Sequence, residues 1–269
     1  MTTDTIRVLI AIGIFMMLLA LRLEAERFGA AEYDEPGRRR GPLTRLSWYA
    51  IGGALLAALY VVHPSPHDTL LMLIGHRPDA LILGLVLAVL GVVQAAGFAW
   101  YRYGYVRLPP ADPYADAAVN AVGTAVIDEA TFRGALLGSL LALGSPGPLA
   151  ILEMTIFYLL ATRLVAPGRH PYMAVLAAAE GLVFGWATVV TGGLGAAIIG
   201  HAATSFAVFV FTGHAGQVAA SGAEPEEVEA RQAIPEGWQD AFNPNQPGRG
   251  AEPRGLGNDD GFGGPGDLH

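Results

Sequence analysis

The chain has neither cysteine nor lysine among its 269 residues, and only 15% of them are charged. Without cysteine there is no disulfide framework, no thiolate metal site and no cysteine nucleophile, while the redox state of the compartment stays open. The 16 basic residues, all arginine, are outnumbered by 24 acids, and the resulting net charge of −8 argues against nucleic acid as the main partner. No Walker loop, no G-x-G-x-x-G after a strand and no repeat of solenoid period occurs, so nothing calls for a nucleotide cofactor, and no metal-ligand cluster stands out. What the chain does have is apolar: 52% hydrophobic residues and a mean hydropathy of +0.41, which does not fit a single water-soluble globule.

That apolarity is concentrated before residue 213, in about seven runs near 6–23, 43–62, 80–101, 115–143, 148–165, 171–190 and 194–212. Each approaches the roughly 20 residues a helix needs to cross the hydrocarbon core. The expected fold is therefore an all-α, polytopic transmembrane bundle. The first run lacks a basic start and a small-residue cleavage site and is followed at once by Arg22, Glu24, Glu26 and Arg27, so it reads as retained rather than as a signal peptide. Residues 213–269 carry 3 arginines against 10 acids and most of the Pro-Gly runs, which predicts a disordered, acidic, solubilising tail. Three parts follow: 1–114, 115–212 and 213–269.

Arginine in the short loops predicts orientation. Arg22, Arg27, Arg38, Arg39, Arg40 and Arg45 follow the first run, Arg102 and Arg107 the third, Arg163 and Arg169 the fifth, whereas 63–79 holds only Arg77. The alternation puts the N-terminus outside and the tail in the cytoplasm, compatible with a bacterial plasma membrane and with lipid as the first partner.

Ionisable residues inside apolar runs cost a few kcal/mol each unless paired or wetted, so each is a functional candidate. Asp116, Glu153 and Glu180 lie where span ends allow snorkelling. The fourth run is different, because Asp116, Asn120, Thr124 and Asp128 recur every fourth residue as one polar stripe. Beside it Glu129 and Arg133 form an i,i+4 pair, expected to be a buried ion pair that fixes packing. Asp128 has no basic partner at helical spacing, which makes it the candidate carboxylate for taking and returning a proton. The seventh run supplies His201 and, one turn on, Ser205, a pair with no following acid to orient the imidazole as a nucleophilic dyad would need. The small-x-x-x-small pairs Gly134/Gly138 and Gly181/Gly185 predict close helix packing.

The stretch Asp128-Glu129-Ala130-Thr131-Phe132-Arg133-Gly134, then Gly181-Leu182-Val183-Phe184-Gly185-Trp186, then Thr191 through Ala202 with Gly200-His201, resembles the CPBP intramembrane proteases, also called the CAAX protease and bacteriocin-processing family. The resemblance covers about 115–212, the family's four-helix core. Its ordered motifs are E-E-x-x-x-R, F-x-x-x-H and H-x-x-x-N. The resemblance implies that the first acid and the second-motif histidine activate a water and that the last motif holds the oxyanion, while the second acid and the arginine are structural. Carried over, the water-activating carboxylate falls on Asp128, the ion pair on Glu129 and Arg133, and the oxyanion donors on His201 and Ser205. The second motif falls on Phe157 through Ala161, which puts Ala161 where the histidine belongs and Ser205 where the asparagine belongs. Losing a general base alone removes a factor of about 10² to 10⁴. Two readings are set side by side: an intramembrane endopeptidase acting on a membrane-anchored or prenylated peptide with weak or lost activity, and an inactive relative that binds a membrane peptide or protein as a scaffold. A proton path along the Asp116 to Asp128 stripe is a third.

Overall fold

The computed structural model of the chain describes residues 2–30, 42–108, 114–166, 168–214, 218–224 and 227–229. Helices overlap all seven apolar runs: α1 (Thr3–Leu23), α2 (Pro42–Val62), α3 (Arg77–Tyr103), α4 (Tyr114–Glu129), α5 (Gly147–Thr162), α6 (Pro171–Thr191) and α7 (Gly195–Thr212). Short turns at Ala25–Phe28 and Pro66–Thr69 complete the connections, and no strand occurs among the described residues beyond one isolated bridge. Among the described residues five helices, α1, α2, α3, α6 and α7, are long and apolar enough to cross a membrane, while α5 is a shorter apolar helix. The chain is thus an all-α membrane protein.

Helix ends follow local chemistry. The Thr2 hydroxyl accepts the Thr5 N–H at 3.2 Å to start α1, and Gly104, Gly192 and Gly213 take left-handed φ values of 76°, 69° and 77° to end α3, α6 and α7. At the start of α6, burial first and the neighbouring Arg102 charge second hold His170 below the ordinary histidine range. Its neutral ring accepts the Tyr172 N–H at 3.2 Å through Nδ1.

The fourth run is not a plain α-helix. Beyond Glu129 it continues without a break as a π-helical stretch, Ala130–Leu137, and ends in an α-turn, Gly138–Ala142. The widened ladder is approached from outside: Leu71 donates its N–H to the Gly134 carbonyl at 3.1 Å. Gly134 and Gly138 explain how. A Cβ on Gly134 would lie 2.9 Å from Met72, and one on Gly138 would meet the backbone of Thr69, Leu70 and Leu71. This small-residue pair therefore receives an irregular loop, not a second helix. Gly181 and Gly185 do meet a helix, α5, through Thr155, Met154 and Ile151.

The same loop pairs with the turn between α6 and α7. Leu194 N–H donates to Leu73 O at 2.7 Å, Gly195 N–H to Ile74 O at 3.0 Å, and His76 N–H to Thr191 O at 2.8 Å. Among apolar helices irregular backbone survives here because its polar groups are met by protein.

Residues 218–224, assigned to the tail by composition, are packed instead. Val218 is fully buried and Glu224 is 1% exposed, because two backbone bonds and an arginine pair offset the ordering of this piece. Most of the remaining tail lies outside the described residues.

Candidate active site

The polar stripe of α4 faces the N-terminal helices, and its rungs are taken there. Arg45 of α2 reaches Asp116 at 2.7 Å, Tyr49 donates its hydroxyl to Asn120 at 2.6 Å, and Thr124 lies buried between them and Asp128. Asp116 sits at the helix end, 58% exposed, as expected of a residue able to reach water. At the inner end Arg22 of α1 places Nε 2.9 Å from Asp128 Oδ1 and 3.1 Å from Oδ2, with both side chains almost wholly buried. Helical spacing could not reveal this partner, which is 106 residues away. Arg22 is therefore not a loop arginine: it is 5% exposed and belongs to the last turn of α1, directed into the protein. Trp48 holds that turn by donating its indole N–H to Leu21 O at 3.0 Å.

One residue further, Glu129 points to another neighbour. Its Oε1 lies 3.2 Å from Arg133 Nη1, the expected ion pair, and 2.7 Å from His201 Nδ1. With Glu129 as the carboxylate of that pair, His201 donates through Nδ1–H, which fixes the tautomer. Glu129 and Arg133 are fully buried and His201 is 2% exposed. Much of the arginine charge is met by ring faces: its guanidinium carbon stands 4.4 Å from the centre of Tyr158 and 5.9 Å from that of Phe184. Phe184 lies nearly parallel to the His201 ring, 28° between planes at 6.3 Å, and Tyr158 stands edge-on to it at 6.4 Å. Phe132 completes the cage against Tyr158 at 5.2 Å.

Ser205, half-buried one turn beyond His201, opens on a different space. It lines a pocket with Tyr158, Glu180, Thr204 and the apolar side chains around them. The space that a water centre can occupy there is about 20 Å³, room for roughly one molecule. Asp128 and His201 are not among its lining residues. Ala161 is buried in an apolar cluster with Tyr158, Leu164 and Met173, whereas Phe157, the aromatic four residues before it, is 48% exposed. The aromatic ring against His201 is instead Phe184, and four residues on in α6 stands Thr188, 0% exposed, its hydroxyl without a hydrogen-bond partner among the described residues. The structure therefore brings together Glu129, Arg133 and His201, ties Asp128 to Arg22, and leaves Ser205 on a separate pocket.

Among families of known proteins, the model for the type II CAAX prenyl endopeptidase Rce1-like group matches residues 110–207. Residues 110–207 are thus similar to the CAAX-protease family. No curated protein and no solved structure matches the chain significantly. Around this site, sequence reasoning missed the Arg22 contact on Asp128 and did not single out Tyr158 or Thr188. Arg22 and Tyr158 carry no local pattern. Thr188 did carry one, because Phe184-Gly185-Trp186-Ala187-Thr188 repeats the spacing of the second motif.

Proposed function

We propose that this CAAX-protease-like membrane protein binds a membrane-anchored peptide without hydrolysing it at an ordinary enzymatic rate. The observation that carries the reading is the Arg22 contact on Asp128. A water-activating carboxylate must accept a proton, and here protonation would leave a buried arginine without its counter-ion, an arrangement that costs about 3–5 kcal/mol. Glu129 and His201 hold each other, and Ser205 lies on another space, so the proton acceptor and the oxyanion donors do not converge. Phe184 against His201 supports Thr188 as the occupant of the second-motif histidine place; a hydroxyl there accepts no proton at neutral pH.

The stripe rungs are closed by Arg45, Tyr49 and Arg22, which supports a docking seam for the N-terminal helices rather than a proton path. The arginine alternation, now without Arg22, supports an N-terminus outside and a cytoplasmic tail in a bacterial plasma membrane. The full chain in detergent, incubated with a farnesylated CAAX-type peptide and analysed by mass spectrometry, should give no more product than Asp128→Ala. Because Asp128→Ala leaves Arg22 unpaired, its folding is first checked by elution profile and melting temperature, and the same peptide carrying a photoreactive prenyl group should crosslink equally to both folded proteins. Product that accumulates with the unaltered chain and disappears with Asp128→Ala would establish the endopeptidase reading instead.

A further inference from the structure

Beyond Thr212 the chain turns at Gly213 and comes back across the helix ends. His170 N–H donates to Val218 O at 3.0 Å and Ala220 N–H to Gly168 O at 3.1 Å, with an antiparallel bridge between Arg169 and Ala219. Val218 is fully buried and belongs to the same apolar cluster as Tyr158, Leu164, Met173 and Ala177, four of the residues that line the Ser205 pocket.

Six residues on, Glu224 drops into a cradle built from other elements. Its Oε1 accepts the Tyr103 hydroxyl at 2.7 Å and lies 3.3 Å from Arg102 Nη2, and its Oε2 lies 3.2 Å from Arg107 Nη1 and 3.5 Å from His214 Nε2. Arg107 lies 4.0 Å and Arg102 5.1 Å from the centre of the Tyr103 ring, so one phenol steers both guanidinium groups onto the single carboxylate. The apolar residue and the charged one thus act at opposite ends of a seven-residue piece.

We propose that residues 218–224 are an autoinhibitory latch: Val218, buried in the apolar cluster that supplies the pocket wall at Leu164 and Met173, holds that wall closed from behind, and Glu224 is the lock that keeps it there. The latch is an equilibrium between a docked and a lifted state, and any change that weakens the Glu224 cradle shifts it toward the lifted one. Without the carboxylate the docked state keeps its backbone bonds to Gly168 and His170 and the burial of Val218 and Ala219, and loses its charged anchor. The inference concerns access to the pocket and stands apart from whether the family core hydrolyses peptides.

Because the chain has no cysteine, Ser205→Cys provides the only thiol, and its reaction with a small maleimide reads the pocket directly. In the otherwise unaltered full chain labelling should be slow, and it should accelerate tenfold or more when Glu224→Gln is added. Arg107→Gln, which damages the cradle and leaves the latch sequence intact, should give an increase of the same direction. Folding of each variant is checked by its elution profile and melting temperature. If both variants fold and neither changes the labelling rate by more than twofold, the latch is refuted. An arm that needs no lock variant covers misfolding: in the chain with Ser205→Cys alone, hydrogen exchange at the His170 and Ala220 amides reports latch opening. Labelling no faster than that opening supports the proposal, and labelling that outruns it overturns it.

Discussion

Replacing Arg22 by methionine lowers the stability of the detergent-solubilised protein by about 3–5 kcal/mol, the usual cost of leaving one member of a buried ion pair without the other. The argument rests on position: Asp128 is 1% and Arg22 5% exposed, and Arg22 Nε approaches both oxygens of the carboxylate. Removal of the cation forces Asp128 to be protonated or to draw in water at the meeting of α1, α2 and α4. Replacement of both partners, Arg22→Met with Asp128→Leu, restores most of the loss, because apolar groups of similar volume avoid the desolvation of two charges. Thermal melts of the four proteins in one detergent form a double-mutant cycle, and a coupling below about 1 kcal/mol would mean that the pair is effectively solvated.

Gly193→Ala has a comparable effect by a different route. A Cβ at this position collides with Gly75 N, Leu73 O and Ile74 C, all main-chain atoms, so no rotamer change relieves it. The loop must withdraw, and the bonds Leu194 N to Leu73 O, Gly195 N to Ile74 O and His76 N to Thr191 O are weakened together. At about 1 kcal/mol for each bond, plus the penalty for leaving backbone groups unmet in an apolar setting, the loss is about 3 kcal/mol or more. Gly97→Ala is the control, since a Cβ there meets nothing within 4 Å. In the interior of α3 it should be neutral or stabilise by up to about 1 kcal/mol. Equal melting temperatures for the two alanine variants would show that the loop yields without cost.

Much of the architecture was legible because the determining patterns are local. Apolar runs gave helices at all seven places, and the i,i+4 spacing of Glu129 and Arg133 gave the ion pair that the structure contains at 3.2 Å. What stayed hidden depends on contacts between distant segments. Arg22 sits at the end of an apolar run, where arginine ordinarily marks a loop, and only the packing of α1 against α4 turns it inward. The His201 to Glu129 bond joins residues 72 positions apart. The second-motif position is a different case: two phenylalanines, Phe157 and Phe184, offer the same spacing, and which ring faces His201 is decided by helix rotation rather than by composition. The onset of the tail was obscured for a related reason, since Val218 and Glu224 are too few to register as an apolar or charged pattern, and Glu224 is held by Arg102, Arg107 and Tyr103 more than 100 residues earlier.

The π-helical stretch at 130–137 makes the family signature a matter of phase. An i→i+5 ladder fits more residues into each turn than ordinary α-winding. Rewinding those residues as ordinary α-helix without changing their number would turn each later one further about the axis, because an α-helical step is roughly 100° and a π-helical step is smaller. Phe132 and Arg133 would then lose alignment with Glu129 and with the Tyr158 ring, although every motif residue would remain in the chain. Relatives that gain or lose length are accordingly expected to do so in the connecting loops, where a change of one residue rotates nothing.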